Sequence, residues 1–236
     1  MKRFMLVASV LAACTFALSL YGRAQTQFYD PTTNSNGVFK EGNIDCQADG
    51  KGGDPYLNEL KNRDLAPATF TAHTIDEIET TLPQDLPKGR QNDRSSWNPA
   101  DQQRCEAIEK EGASVEGFLL KMKPEGTEAC NCGSTTFHDY HLWLSTTPLP
   151  ANHGKNVDRS KAMVVEISPR LLGSHKNWKQ RTIDHLISNG SKIRISGWLT
   201  WDQDHPEQLG NTRATLWEIH PIHKIEVFSN NKWTEL

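Results

Sequence analysis

Strict alternation of apolar and polar positions organises the second half of the chain. From Asp139 to Ser145, Tyr140, Leu142 and Leu144 fall on one face, and Asp139, His141 and Trp143 on the other. Ile193 to Thr200 repeats the pattern, with Ile193, Ile195, Gly197 and Leu199 opposite Arg194, Ser196 and Trp198. A period of two predicts strands whose faces differ in character. Val115 to Met122 and Met163 to Ile167 read as two more strands, the second ended by Pro169. Residues 214–228 read as a fifth, bent at Pro221. Between the third and fourth strands, residues 177–189 predict a helix. Trp178, Ile183, Leu186 and Ile187 share one side of it, and Asn189-Gly190 is the stop.

The first half reads differently. Phe4 to Leu20 is an apolar run behind Lys2 and Arg3, with small residues around Gly22 and Ala24. That is the layout of a secretory signal peptide over residues 1–24, cleaved near Ala24. Leu11-Ala12-Ala13-Cys14 also fits a lipoprotein signal, but the apolar run continues past Cys14 through Phe16, Leu18 and Leu20. Residues 25–44, rich in Asn, Thr and Gln, are expected to be flexible. Residues 45–112 form a helical and loop extension. Asp54-Pro55 opens a helix through Leu57, Leu60 and Lys61, and Thr74 opens another in a Thr-Ile-Asp-Glu capping arrangement. Residues 83–97 read as loop. Asn98-Pro99 starts a third helix, carrying Cys105 and Ile108 and stopping at Gly112.

Three strands, a helix and two strands is the element order of the OB-fold, a five-stranded Greek-key barrel with a helix between strands three and four. Residues 113–236 are therefore expected to be mainly β and OB-fold-like, with an SH3-like barrel as the nearest alternative. Gly117 and Gly197 suit strands that coil tightly. The last strand, Thr215-Leu216-Trp217-Glu218-Ile219-His220-Pro221-Ile222-His223-Lys224-Ile225-Glu226-Val227, is similar to the closing segment of a group of exported bacterial proteins without an assigned activity. Gly197-Trp198-Leu199 with Asp202 and His205-Pro206, Val165 to Arg170, Asp139 to Leu144 and Leu60-Lys61-Asn62-Arg63 fit the same resemblance. It implies a compact β-domain outside the cytoplasm and carries no catalytic residues over.

Composition narrows the function classes. The 236 residues carry a formal charge of −3, which excludes a strongly basic nucleic-acid coat. Loss of residues 1–24 removes three bases and no acid, taking the charge to −6. Residues 151–236 nevertheless hold 12 bases and 9 acids, a local excess that suits either an anionic ligand or an ordinary solvated face. No run of 18 apolar residues follows the leader, so no membrane contact is expected beyond it. No cofactor motif is present; none is expected, and a monomer is.

Candidate chemistry gathers on the polar faces of the strands. His141, Trp143, Glu166, Arg194, Trp198 and His220 would line one barrel face, where indoles can stack on bases or sugars and charged groups direct hydrogen bonds. The expected role is that of an exported binding or scaffolding domain for an oligosaccharide, an oligonucleotide or a protein. The same face could instead be packed beneath the extension. The alternative function is a metal-dependent, nuclease-like hydrolase in which His141, Glu166 and His220 hold a cation and Asp139 assists. In an exported chain, Cys46, Cys105, Cys130 and Cys132 predict two disulfides, with Cys130 and Cys132 each reaching back to Cys46 or Cys105. Cys130-Asn131-Cys132 with His138 and His141 offers a competing zinc reading.

Overall fold

The structure, a computed structural model, describes residues 39–41, 44–91, 93–150 and 156–236. The leader and its cleavage position lie outside them, as does most of segment 25–44. Phe39–Glu41 (β1) and Ile44–Cys46 (β2) pair as a short antiparallel ribbon. Helix α1, Pro55–Lys61, starts where Asp54 accepts from the Tyr56 N–H, with proline in its first turn. Thr71–His73 (β3) leads into α2, Ile75–Thr81, which carries the reciprocal Thr74–Glu77 capping box. Helix α3, Pro99–Glu109, is capped by Asn98. It ends before Gly112, which opens the next strand rather than closing the helix.

The barrel follows as β4 (Gly112–Pro124), β5 (Tyr140–Ser145), β6 (Met163–Ile167), the short α4 (Pro169–Leu172), α5 (Gln180–Ser188), β7 (Lys192–Trp201) and β8 (Trp217–Ser229). The strand order is β4-β5-β6-β8-β7, closed by antiparallel pairing of β4 with β7. Only the β6–β8 pairing within this ring is parallel, through Val165 and Ile219. This is the OB connectivity, with α5 between the third and fourth barrel strands.

Two strands join it from outside. β3 runs parallel to the start of β4, and β9, Lys232–Glu235, returns along β8. The β8–β9 connection is Asn230-Asn231, both at positive φ (50° and 59°), the backbone that a two-residue hairpin requires. At Gly197 a side chain would meet the Pro221 carbonyl oxygen at 2.2 Å, and the β7–β8 register shifts on both sides of it. Gly117 is equally confined, since a side chain there would come within 2.5 Å of the Ser145 carbonyl oxygen. These close approaches are what the tight coil demands.

Leu142, Leu144, Val165, Ile195, Trp217 and Ile219 meet inside the barrel, together with Ile183 of α5. Trp201 and Trp217 are fully buried and cross edge to face at 5.3 Å, a geometry worth about 1 kcal/mol beyond the area they bury. Much of the second face of these strands is buried too, part of it by the extension and part by the barrel's own loops.

Arg63, at the end of α1, donates to the Glu109 carbonyl at 2.6 Å, to the Leu199 carbonyl at 3.0 Å and to the Thr200 hydroxyl at 2.8 Å. Arg170 donates to Asn62 Oδ1 and to the carbonyls of Cys46 and Gln47. The cover is also fastened by one disulfide, Cys46–Cys132. The expectation of two disulfides is thus corrected for the described cysteines. Cys105 faces Arg94 within the extension, and Cys130 turns toward Asp139; both are buried free thiols. No described helix is long and apolar enough to cross a membrane.

Candidate functional site

Pairing places the chemistry. His141 and Glu166 are direct partners on β5 and β6. The parallel step from Val165 to Ile219 brings Glu218 and His220 alongside, because Trp217 and Ile219 point into the barrel and their neighbours point out. Asp139 precedes β5. Lys61 descends from α1, Arg213 from the loop before β8, Asp202 from the end of β7, and Glu125 and Glu128 from the loop after β4. The result is a charged layer between barrel and cover. Asp139 is 1% exposed, Glu166 3%, His141 4% and His220 fully buried.

The permanent cations are engaged on one side of this layer. Arg213 meets Asp202 at 2.7 Å and Glu218 at 3.4 Å, and Lys61 lies 3.8 Å from Asp202 and 3.9 Å from Glu218. Asp139, Glu166 and His220 sit on the other side. His220 Nδ1 contacts Glu218 at 3.2 Å and Glu166 at 3.3 Å, and its Nε2 lies 3.4 Å from Asp139. These are charge contacts with unfinished hydrogen bonding. Asp139 Oδ1, Glu166 Oε2 and His220 Nε2 are all buried without a hydrogen-bond partner in the structure. One ligand atom from each of the three residues falls within 4.8 Å of the others.

The electrostatics follow from that imbalance. Burial opposes the imidazolium of His220, but Glu166 and Asp139 outweigh it and push the group up to about 10. Burial and then Asp139 and Glu166 push Glu128 up to about 10 as well. Glu125 goes the other way. Burial works against its charge, but His141 and Lys123 hold it down at about 2. His141 is thereby anchored, Nδ1 at 2.6 Å from Glu125, and its Nε2 lies 3.7 Å from Glu166.

A pocket of about 260 Å³ reaches this layer from solvent, lined in part by Lys61, Arg90, Glu128, Cys130, Asp204 and His205. His205 is oriented there, Nδ1 at 2.7 Å from Asp202 and Nε2 at 3.4 Å from Arg90.

Of the six residues expected to share a face, the structure brings together His141, Glu166 and His220, with Trp143 stacked on His141 at 4.5 Å. It does not present them on an open surface. Trp143 is 2% exposed and donates to the Thr212 carbonyl. Trp198 is 6% exposed, donates to the Leu65 carbonyl and lies under Arg63. Arg194 lies apart, paired with Glu226 at 2.7 Å beside Trp233 and lining a different cavity of about 490 Å³.

The zinc reading of Cys130, Cys132, His138 and His141 is also corrected. Cys132 is in the disulfide, and both ring nitrogens of half-buried His138 meet backbone carbonyls. Lys61, Arg213 and Glu128 were not foreseen as site residues. For Lys61 a signal existed, since it occupies the apolar stripe of α1 with Leu57 and Leu60.

At the rim of the cover, His223 meets the Arg63 carbonyl at 3.1 Å, and burial holds it down at about 4. The folded state keeps this ring neutral, whereas the unfolded chain takes up the proton near 6.5. Its contribution is therefore complete above pH 6.5 and is lost as pH falls toward 4, by up to about 3 kcal/mol. Urea titrations at pH 7 and 4.5 should show a smaller acid loss for His223→Gln than for the native chain; equal losses would refute this account.

Compared with known proteins, the chain matches no family model, no curated protein and no solved structure.

Proposed function

We propose that the chain is an exported, metal-dependent hydrolase domain acting on a phosphodiester, with Asp139, Glu166 and His220 holding a divalent cation. The observation that carries this reading is twofold: one ligand atom from each of the three residues falls within 4.8 Å of the others, and each residue keeps a buried polar atom without a hydrogen-bond partner. A closed structural network would satisfy such atoms internally, because each orphaned buried group costs about 1–3 kcal/mol. A cation held by the three side chains would offset that cost. One ring nitrogen of His220 is held by the Glu218 carboxylate, and the other faces Asp139 at 3.4 Å, the side on which a cation shared with Asp139 would bind. A cation here would lower the pKa of a bound water and stabilise charge on an attacked phosphoryl oxygen. Export is supported by the leader pattern, by the resemblance to exported bacterial proteins and by the Cys46–Cys132 disulfide, in keeping with a periplasmic or extracellular location.

A scaffolding role without chemistry is the second reading. The covered, hydrogen-bonded state of Trp143 and Trp198 favours it over recognition of a ligand by stacking.

Metal analysis and hydrolysis of bis(p-nitrophenyl) phosphate with added manganese or zinc separate the two readings. A hydrolase should carry bound metal and should lose at least about a hundredfold in rate in Glu166→Gln and His220→Gln variants that keep the native far-ultraviolet spectrum. Absence of both metal uptake and turnover would overturn the proposal in favour of the scaffold.

A further inference from the structure

Asp139 belongs to a second cluster of possible ligands besides the buried triad. Beyond it, toward solvent, stand Glu128 and Cys130. One ligand atom from each of Glu128, Cys130 and Asp139 also falls within 4.8 Å of the others, and Cys130 Sγ lies 3.5 Å from Asp139 Oδ2. Glu128 Oε2 and Asp139 Oδ1 are buried without hydrogen-bond partners, and the Asp139 side chain is almost wholly enclosed. Cys130 is a buried thiol outside the disulfide, although Cys132 two residues away is bonded.

We propose that Glu128, Cys130 and Asp139 form a second cation position at the floor of the pocket, bridged through the Asp139 carboxylate to the position at Glu166 and His220. The inference rests on the metal reading of that first position.

The two positions differ in chemistry and in access. The inner one offers two carboxylates and an imidazole and lies deeper, among side chains no more than 3% exposed. The outer one adds a thiolate, which selects for a softer ion such as zinc over magnesium or calcium. Glu128 and Cys130 line the pocket, so this is the position nearer to water and to an incoming oxygen. Coordination replaces the Cys130 S–H bond by a sulfur–metal bond and releases the proton to solvent. A carboxylate shared by two cations about 3.5–4 Å apart is the arrangement by which paired ions clamp both oxygens of an in-line displacement.

Cobalt(II) alone is a sufficient probe, because thiolate ligation gives a charge-transfer band that oxygen and nitrogen ligands do not. The full mature chain, stripped by chelation, should bind two cobalt ions and show the thiolate band. Cys130→Ser should abolish the band and one equivalent, His220→Gln should remove one equivalent and keep the band, and Asp139→Asn should lose both. Glu128→Gln, at a half-buried position, should weaken the band-bearing ion alone. One cobalt ion without a thiolate band would overturn the second position and leave the first standing. A single band-bearing ion, insensitive to His220→Gln, would overturn the first position and with it the bridge through Asp139. No cobalt uptake would overturn both.

Discussion

Replacing Cys46 by serine should lower the free energy of unfolding by about 4–5 kcal/mol. The Cys46–Cys132 bond joins residues 86 apart in sequence, and closing a loop of that length removes this much conformational freedom from the unfolded chain in the chain-entropy picture. The bond also holds the start of the extension against the loop that carries Cys130. Asn62 reinforces that contact with hydrogen bonds to the Ala48 and Cys130 carbonyls. Urea denaturation of the native chain and of Cys46→Ser measures the difference. Thiol titration in denaturant should find Cys105 and Cys130 reactive in the native chain, with Cys46 and Cys132 joining them after reduction. A stability loss under about 1 kcal/mol would mean that the unfolded chain keeps those ends together without the bond.

The second large effect is expected at Glu109. Its carboxylate pairs with the Arg94 guanidinium, and Arg94 also donates to the Trp201 carbonyl at 2.7 Å. The other carboxylate oxygen accepts from the Trp201 N–H at 2.9 Å. Arg94 is 1% exposed and Glu109 3%, so the pair fastens α3 and the loop before it to β7 with no solvent screening. Glu109→Ala leaves a guanidinium buried without its counter-charge and should cost about 3–5 kcal/mol. The double variant with Arg94→Met removes the stranded charge and should be more stable than Glu109→Ala alone. Chemical denaturation of the four members of this cycle tests the point. Additive losses would show that the two side chains act independently.

Much of the scaffold was legible because it follows local rules. Asp54-Pro55, Thr74 with Glu77, and Asn98-Pro99 start helices for reasons confined to a few residues, and all three start there. Alternation located β5 and β7, and the order of elements was enough for the barrel connectivity. Strands of three or four residues, β3 and β9, are too short to carry a period. The Asn230-Asn231 turn was the available signal for β9.

The site was half legible for a different reason. Alternation says that His141, Glu166 and His220 leave the core on the same side, but not what meets them there. An open face and a covered one have the same pattern. The difference is made by Lys61, Asn62, Arg63 and Arg170, whose bonds to carbonyls and carboxylates span up to 157 residues of sequence. The cysteines illustrate the same limit, since spacing alone did not say that Cys130 turns toward Asp139 while Cys132 turns toward Cys46.

The position of β8 governs how the chain must fold. This strand lies between β6 and β7, and the seam opposite joins β4 to β7, pairing Val115 with Ile195. Contacts of such long range pay their loop-closure entropy before they return stability, which places barrel closure in the slow regime of milliseconds to seconds. Until residues 217–229 arrive, β6 and β7 each keep an unpaired edge rich in isoleucine and valine, and such edges recruit neighbouring chains. A chain released without its C-terminal segment would therefore present two adhesive edges at once, making aggregation rather than a smaller barrel its expected fate.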